Sequence, residues 1–236
     1  MNAEKPRPIS RDPLKHLTLF SEFVIGIFTI LGSLFVFWKL AEDILEKETI
    51  FFDASIIHVV YAIRSPLMTT IMETITFFGS TTFLAIAIVI TIGTLFRKHR
   101  KDAYLFFCIF IFGVLINILL KDFFRRPRPD FLPLIHESSY SFPSGHAMNS
   151  FVFYTCVSFF IFHKMKNKKL GFILIIASIL LILLIGISRI YLGVHYPSDV
   201  IAGYFAGLMW FVLVLLFERT IRVVHLFGNR EKEKKY

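Results

Sequence analysis

Long apolar runs separated by short polar joints dominate this chain of 236 residues. Runs close to the roughly 20 residues that cross a bilayer occur at residues 17–40, 76–96, 103–121, 146–163, 170–189 and 198–217. A chain in lipid has to satisfy its backbone hydrogen bonds internally, so each run is expected to be helical. The pattern predicts an all-α fold, a bundle of six transmembrane helices. Between the first two spans, residues 51–63 and 66–78 are apolar but short, and Arg64-Ser65-Pro66 separates them, with Pro66 placed to open a new helix. At least one of these pieces is expected to lie along the interface as an amphipathic helix. Gly79-Ser80 is expected to break or kink the approach to the second span. The resulting division is a segment 1–16, a six-span domain 17–219 and a basic tail 220–236. The first run is too long for a removable signal peptide, and its end at Trp38-Lys39-Leu40 lacks a small-residue cleavage site.

Composition agrees with this reading. Hydrophobic residues make up 56% of the chain and Phe alone contributes 29, which excludes an ordinary soluble domain. The formal charge of +9 raises the question of nucleic acid, and the placement of the 26 Lys and Arg answers it. Most fall in four places: before the first span, at residues 97–101, at residues 164–169, and from Arg219 onward. The positive-inside rule then puts both termini of a multi-pass membrane protein in the cytoplasm. The basic excess is topological and implies no nucleic-acid partner, and no protein partner is evident. Cys108 and Cys156 both lie inside predicted spans and read as small buried hydrophobes, without support for a disulfide or a thiolate metal site.

Three polar clusters interrupt the apolar pattern, all at span ends on the side opposite those basic loops. The first runs from Lys121 through Arg125, Arg126 and Arg128, in a turn stiffened by Pro127 and Pro129. On the external side the positive-inside rule does not explain these cations. An anion clamp in which Lys121 and Arg128 meet across the turn does. The second is Ser141-Phe142-Pro143-Ser144-Gly145-His146, at the start of the fourth span. Ser144 can cap the helix, Gly145 permits close approach of a ligand, and the free N–H groups of a helix start attract anions. The third is Ser188-Arg189 followed by His195 and Asp199. Ionisable groups this close to hydrocarbon mark a functional site by default. If the stretch is helical, Asp199 can hold one nitrogen of His195 and leave the other as a base or a nucleophile. Ser144 is a weaker candidate nucleophile, because the glycine-flanked elbow of serine hydrolases is absent. His58 reads as a packing residue, and His136 and Glu137 as members of a solvated loop that can reach a substrate.

Taken together, Lys121-x6-Arg128-Pro129, Pro143-Ser144-Gly145-His146 and Ser188-Arg189-x5-His195-x3-Asp199 resemble the three-part signature of the type-2 phosphatidic acid phosphatase superfamily. The segment from Arg128 to His146 is especially similar to bacterial lipid phosphatases, such as those for phosphatidylglycerophosphate and undecaprenyl pyrophosphate, which implies a bacterial cytoplasmic cell membrane as the location. The resemblance implies that His195 attacks phosphorus to give a phosphohistidine, that Asp199 orients it, and that His146 protonates the leaving oxygen. It further implies that Lys121, Arg128 and Arg189, with backbone N–H groups around Ser144 and Gly145, hold the phosphoryl oxygens. Neither a metal nor another cofactor is then required. A zinc site of His146, His195 and Asp199 is the alternative, opposed by three neighbouring cations. The expected partners are the bilayer and a lipid phosphate. Three other functions compete: a lipid phosphotransferase using the same phosphohistidine, a transporter, and a haloperoxidase. Paired broken helices with charges at the midplane would favour a transporter, and that pattern is absent; a haloperoxidase would need a soluble fold and bound vanadate.

The charge distribution generates a topology test. In intact cells an impermeant thiol reagent should label a cysteine placed at Ser139 and spare one placed at Lys166. The reverse pattern would invert the topology.

Overall fold

The computed structural model describes residues 13–233, and every regular element among them is helical. In chain order these are α1 (Pro13–Leu45), α2 (Ile50–Ala62), α3 (Pro66–Phe77), α4 (Thr81–Lys98), α5 (Arg100–Phe124), α6 (Gly145–Lys164), α7 (Lys168–Tyr191) and α8 (Pro197–Glu233). Six stretches are long and apolar enough to cross a membrane, one each on α1, α5, α6, α7 and α8, and one formed by α3 and α4 together as Pro66–Arg97. The protein is therefore a multi-pass membrane protein. Of the terminal segments expected from sequence, residues 1–12 and 234–236 lie outside the described residues. The expected boundary at residue 219 marks no break, because α8 runs on to Glu233.

Local chemistry sets the helix ends. Ser65 caps α3 by accepting the Met68 amide at 3.3 Å, with Pro66 in the first turn, and Ser80 caps α4 by accepting the Phe83 amide at 3.2 Å. Gly79-Ser80 thus breaks the chain into two helices. The short helix between the first two spans is α2, which exposes Ile50, Phe51 and Val59 and turns one carboxylate, Asp53, inward. The α5 helix stops at Arg125, which takes a left-handed φ of 46° while its N–H donates to the Lys121 carbonyl at 2.9 Å. Pro127 and Pro129 then keep the chain out of helix.

The core runs down the bundle axis. At its centre Phe106, Ile109, Phe110, Val152, Phe153 and Cys156 pack α5 against α6. A second cluster brings Phe37 and Ala41 of α1 against Phe142, Met148 and the α8 residues Ala202 and Ala206. Many large apolar side chains remain exposed, among them Phe28, Phe35, Leu119 and Phe172, as expected where hydrocarbon replaces water outside the bundle.

Small residues set how closely α6, α7 and α8 approach. Gly203 and Gly207 lie four apart on the α8 face that meets α6. A Cβ at Gly203 would sit 2.7 Å from the Ser144 carbonyl oxygen, and one at Gly207 would sit 3.1 Å from that of Met148. Gly186 of α7 leaves room for the Tyr204 hydroxyl, which donates to the Ile182 carbonyl at 2.8 Å. This crossing holds the start of α6 against the start of α8.

Gly203→Val should therefore destabilise the protein by about 1–3 kcal/mol through overpacking, with thermal unfolding in detergent lowered by roughly 2–4 °C per kcal/mol. Gly93, where a Cβ meets nothing within 4 Å, provides the control as Gly93→Ala. Equal melting temperatures for the two variants would exclude the tight crossing.

Candidate active site

Four helix ends converge at one end of the bundle: the last turn of α5, the first turns of α6 and α8, and the last turn of α7. The loop from 125 to 144 closes over them, and a pin from the α2–α3 corner fixes it. Arg64 donates to the Tyr191 carbonyl at 3.0 and 2.6 Å and to the Leu132 carbonyl at 2.8 Å. Gly193 makes the tight turn after α7 possible. Its φ is 78°, and a Cβ there would lie 2.8 Å from the Tyr61 hydroxyl and 3.0 Å from Pro133 Cα.

All three sequence clusters meet in this space. His146 lies in the electrostatic fields of Arg189, His195, Arg128 and Lys121 together. Lys121 is buried and donates to the carbonyls of Tyr140 and Ser141. Arg128 donates from Nε to the Ser139 carbonyl at 2.6 Å and from Nη1 to the Val194 carbonyl at 2.7 Å. Burial lowers its pKa, yet a guanidinium stays charged. Arg189 is 1% exposed, donates from Nη1 to Thr76 Oγ1 at 2.8 Å and pairs through Nη2 with Glu137 Oε1 at 2.5 Å. Its Nε is buried without a hydrogen-bond partner. An orphaned guanidinium N–H costs free energy, which a bound anion would offset.

The surroundings of His195 select its tautomer. Its Nε2 lies 3.2 Å from Arg128 Nη1, a group that can only donate, so Nε2 carries the lone pair. The proton then sits on Nδ1, which faces Ser141 Oγ at 3.3 Å and Asp199 Oδ2 at 3.4 Å. Burial pushes the imidazole pKa down to about 3, against the opposing pull of Asp199, so the ring is neutral at pH 7. A neutral imidazole whose Nε2 lone pair accepts from Arg128 can act as a base or a nucleophile once an anion takes over that guanidinium.

The expected roles of Ser144 and Gly145 divide. Ser144 is fully buried, its amide donates to the Asp199 carbonyl at 3.0 Å, and its Oγ caps α6 by accepting the Ala147 amide at 3.5 Å. Its N–H is therefore committed to holding α6 and α8 together rather than free for an anion, which corrects the expectation. The amides of Gly145 and His146, the next two in the helix, find no acceptor among the described residues. A Cβ at Gly145 would meet Asn117 Oδ1 at 2.9 Å and approach Lys121 Cε at 3.8 Å, so the glycine lies beside the Lys121 stem. Gly79 plays a similar part beside His146, whose Cδ2 would lie 3.2 Å from a Cβ there.

Asp53 and Thr76 escape the sequence reading altogether, which names Arg126 and Ser141 only as members of clusters and Glu137 only as a loop residue. Glu137 stays in the exposed loop, as expected, but its carboxylate also pairs with buried Arg189. Asp53 had a signal of its own as the one carboxylate in the apolar helix α2. Two apolar crevices have volumes of about 590 and 600 Å³; no candidate residue lines the first, whereas Asp53 and Arg126 line the second. The first sits between α6, α7 and α8, and the second lies between α2, Arg126 and Tyr196. Among the described residues no group of three or more His, Cys, Asp and Glu is arranged to hold a metal ion.

Residues 101–222, which include every candidate residue on α5 to α8, match the PAP2 superfamily. The chain belongs to this superfamily. It is 39% identical over 175 residues to phosphatidylglycerophosphatase B of Bacillus subtilis, covering 72% of this chain and 85% of that protein. It is 30% identical over 117 residues to undecaprenyl-diphosphatase BcrC of the same organism, covering 48% of this chain and 55% of that one. Among solved structures, the PAP2-type phosphatidylglycerolphosphate phosphatase of Bacillus subtilis superposes with a TM-score of 0.77 at 35% identity, over 82% of this chain and 98% of that one. LpxE of Aquifex aeolicus gives a TM-score of 0.56 at 26% identity, over 69% of this chain and 93% of that one. The protein is thus a PAP2 membrane enzyme that hydrolyses phosphate esters.

Proposed function

We propose that this PAP2 enzyme is a lipid phosphate phosphatase working through a phosphohistidine on His195, without a metal, with its site on the external side of the membrane. One set of observations carries the proposal: His195 Nε2 accepts from Arg128, His146 lies in the fields of Arg189, His195, Arg128 and Lys121, and the Nε of Arg189 is buried without a partner. Phosphoryl transfer asks a protein chiefly for positioning and for neutralisation of charge on the equatorial oxygens. Three cations and the free amides of Gly145 and His146 supply both. In the first step Nε2 forms a bond to phosphorus as the bond from phosphorus to the lipid oxygen breaks. His146 gives its proton to that oxygen, and the Nδ1 proton of His195 stays toward Asp199. Water then attacks the phosphohistidine, His146 accepts its proton, and inorganic phosphate leaves. The substrate class is a membrane lipid carrying a phosphomonoester or a diphosphate. Similarity to phosphatidylglycerophosphatase B favours phosphatidylglycerophosphate first, with phosphatidic acid and undecaprenyl pyrophosphate as the others to assay. Phosphate release from a lipid phosphate without any acceptor separates this reading from a phosphotransferase.

Metal independence follows from the cations, which repel a divalent ion from the space that the phosphoryl group is to occupy. Purified enzyme should keep its activity in EDTA, and vanadate should inhibit as an anion resembling the transition state. Activity lost in EDTA and restored by Mg²⁺ or Zn²⁺ would sink this part of the proposal.

The two histidines should separate by substrate. His195→Ala should abolish turnover and any trapped phosphoenzyme. His146→Ala should cost about 10²–10⁴-fold on a lipid monoester, whose alkoxide needs a proton, and much less on p-nitrophenyl phosphate, whose leaving group hardly does. Asp199→Asn should weaken turnover by misorienting His195. Acid-quench labelling with ³²P-lipid, under conditions that preserve phosphohistidine, decides the assignment. A label that persists in His195→Ala or maps to His146 refutes it.

A further inference from the structure

Behind His195, on the side away from the cationic space, lies a second buried charge cluster that the mechanism leaves unused. Arg126 reaches inward from the loop after α5 and divides its fork between two carboxylates. Nη1 donates to Asp199 Oδ1 at 2.5 Å and to Ser198 Oγ at 2.8 Å. Nη2 donates to Asp53 Oδ2 at 2.8 Å, with Thr49 Oγ1 at 3.4 Å. The guanidinium carbon lies 4.0 Å from the centroid of the Tyr196 ring. Asp53 comes from α2 and also holds the start of α8, accepting the Ser198 amide on Oδ1 at 2.9 Å and the Ser198 hydroxyl on Oδ2 at 2.7 Å. Both carboxylates are almost completely buried.

This arrangement fixes which oxygen of Asp199 faces the histidine. Arg126 and Ser198 crowd the Oδ1 side. Oδ2 accepts from the Ser141 hydroxyl at 2.5 Å and the Tyr196 amide at 2.9 Å and faces His195 Nδ1. A planar guanidinium anchored at both ends is stiffer than a lysine ammonium would be, so the carboxylate cannot swing away from the imidazole. We propose that Arg126 and Asp53 are positioning residues for the reaction, locking Asp199 with Oδ2 toward His195 and setting the field at the imidazole. The proposal rests on the phosphohistidine reading above.

Charge distinguishes positioning from plain structural support. His195 also feels Asp199, Arg128 and Lys121, and the other ionisable groups acting on this centre from the loop and from α5 to α8 include Glu137, Asp130, Arg189, His146 and Tyr196. None of these charges is added or removed when Arg126 or Asp53 is changed. Neutralising Arg126 removes a positive charge from behind the ring and makes the imidazolium easier to form. The acid side of the activity profile should then move to higher pH. Neutralising Asp53 in the same protein removes a nearby negative charge and should return the profile toward its original position.

The experiment uses the full-length enzyme in detergent, with kcat and KM for a lipid phosphate measured from acid to neutral pH. Arg126→Gln should lower kcat about 10- to 100-fold, as loss of a group that orients a reacting side chain does elsewhere, with KM little changed and the acid limb raised. The double variant Arg126→Gln with Asp53→Asn should bring the limb back down. Arg126→Lys, which keeps the charge but loses the fork, should lower kcat with the limb in place. Wild-type kcat in either Arg126 variant, a loss confined to KM, or an Arg126→Gln limb that does not move overturns the proposal. If Arg126→Gln does not fold, Arg126→Lys decides the matter through kcat alone. Acid-quench labelling of the wild-type enzyme runs alongside. Absence of a phosphoenzyme there is a failure of the phosphohistidine reading, whereas a phosphoenzyme with an unmoved limb is a failure of this one.

Discussion

A carboxylate with no exposed surface at the edge of a membrane is the constraint on which the rest of this structure depends. Asp199 begins α8, and leaving it charged without partners would be prohibitively costly. Its acceptor capacity is filled from four directions: Arg126 in the loop after α5, Ser141 before α6, the Tyr196 amide, and His195. The backbone takes part as well, because its carbonyl accepts the Ser144 amide and so ties α6 to α8. Meeting the needs of one buried charge therefore assembles the loop, two helix starts and the histidine in a single step.

The cationic side of the site follows a different logic. Lys121, Arg128 and Arg189 are satisfied largely by carbonyl groups and one carboxylate, and all three act on His146. Neutral dipoles hold a cation in place without cancelling its charge, so the field left over is available to an anion. The uncancelled field, the orphaned Nε of Arg189 and the free amides at the start of α6 all favour the same kind of ligand. Helix α2, the short apolar helix between the first two spans, takes part in this chemistry. Its exposed side is apolar, and its buried Asp53 reaches the same guanidinium that steadies Asp199.

Much of the fold was legible along the chain, because hydrophobic length is a local property and the backbone cannot be left unsatisfied in lipid. The six spans, the short helix before the second of them, the start of α3 at Pro66 and the Ser144 cap all follow from residues within a few positions of one another. The candidate residues His146, His195, Asp199, Lys121, Arg128 and Arg189 stood out for a related reason, as polar groups where apolar ones were expected. Their placement at helix ends on one side could also be read from the alternation of spans.

Tertiary structure decided what those groups touch. Nothing near Arg126 in sequence reveals that it joins Asp53, 73 residues away, to Asp199, also 73 residues away. In sequence it is one more cation in a basic turn. Glu137 read only as a loop residue, and packing gave that loop carboxylate its partner in Arg189; the Ser144 amide read as free until α8 supplied the Asp199 carbonyl. The glycine spacing at 203 and 207 became meaningful only once α6 lay against it. Burial of polar groups depends on which surfaces meet. The sequence by itself determined where the helices and the charged side chains lie, and three-dimensional packing determined which charges are cancelled and which remain open to a ligand.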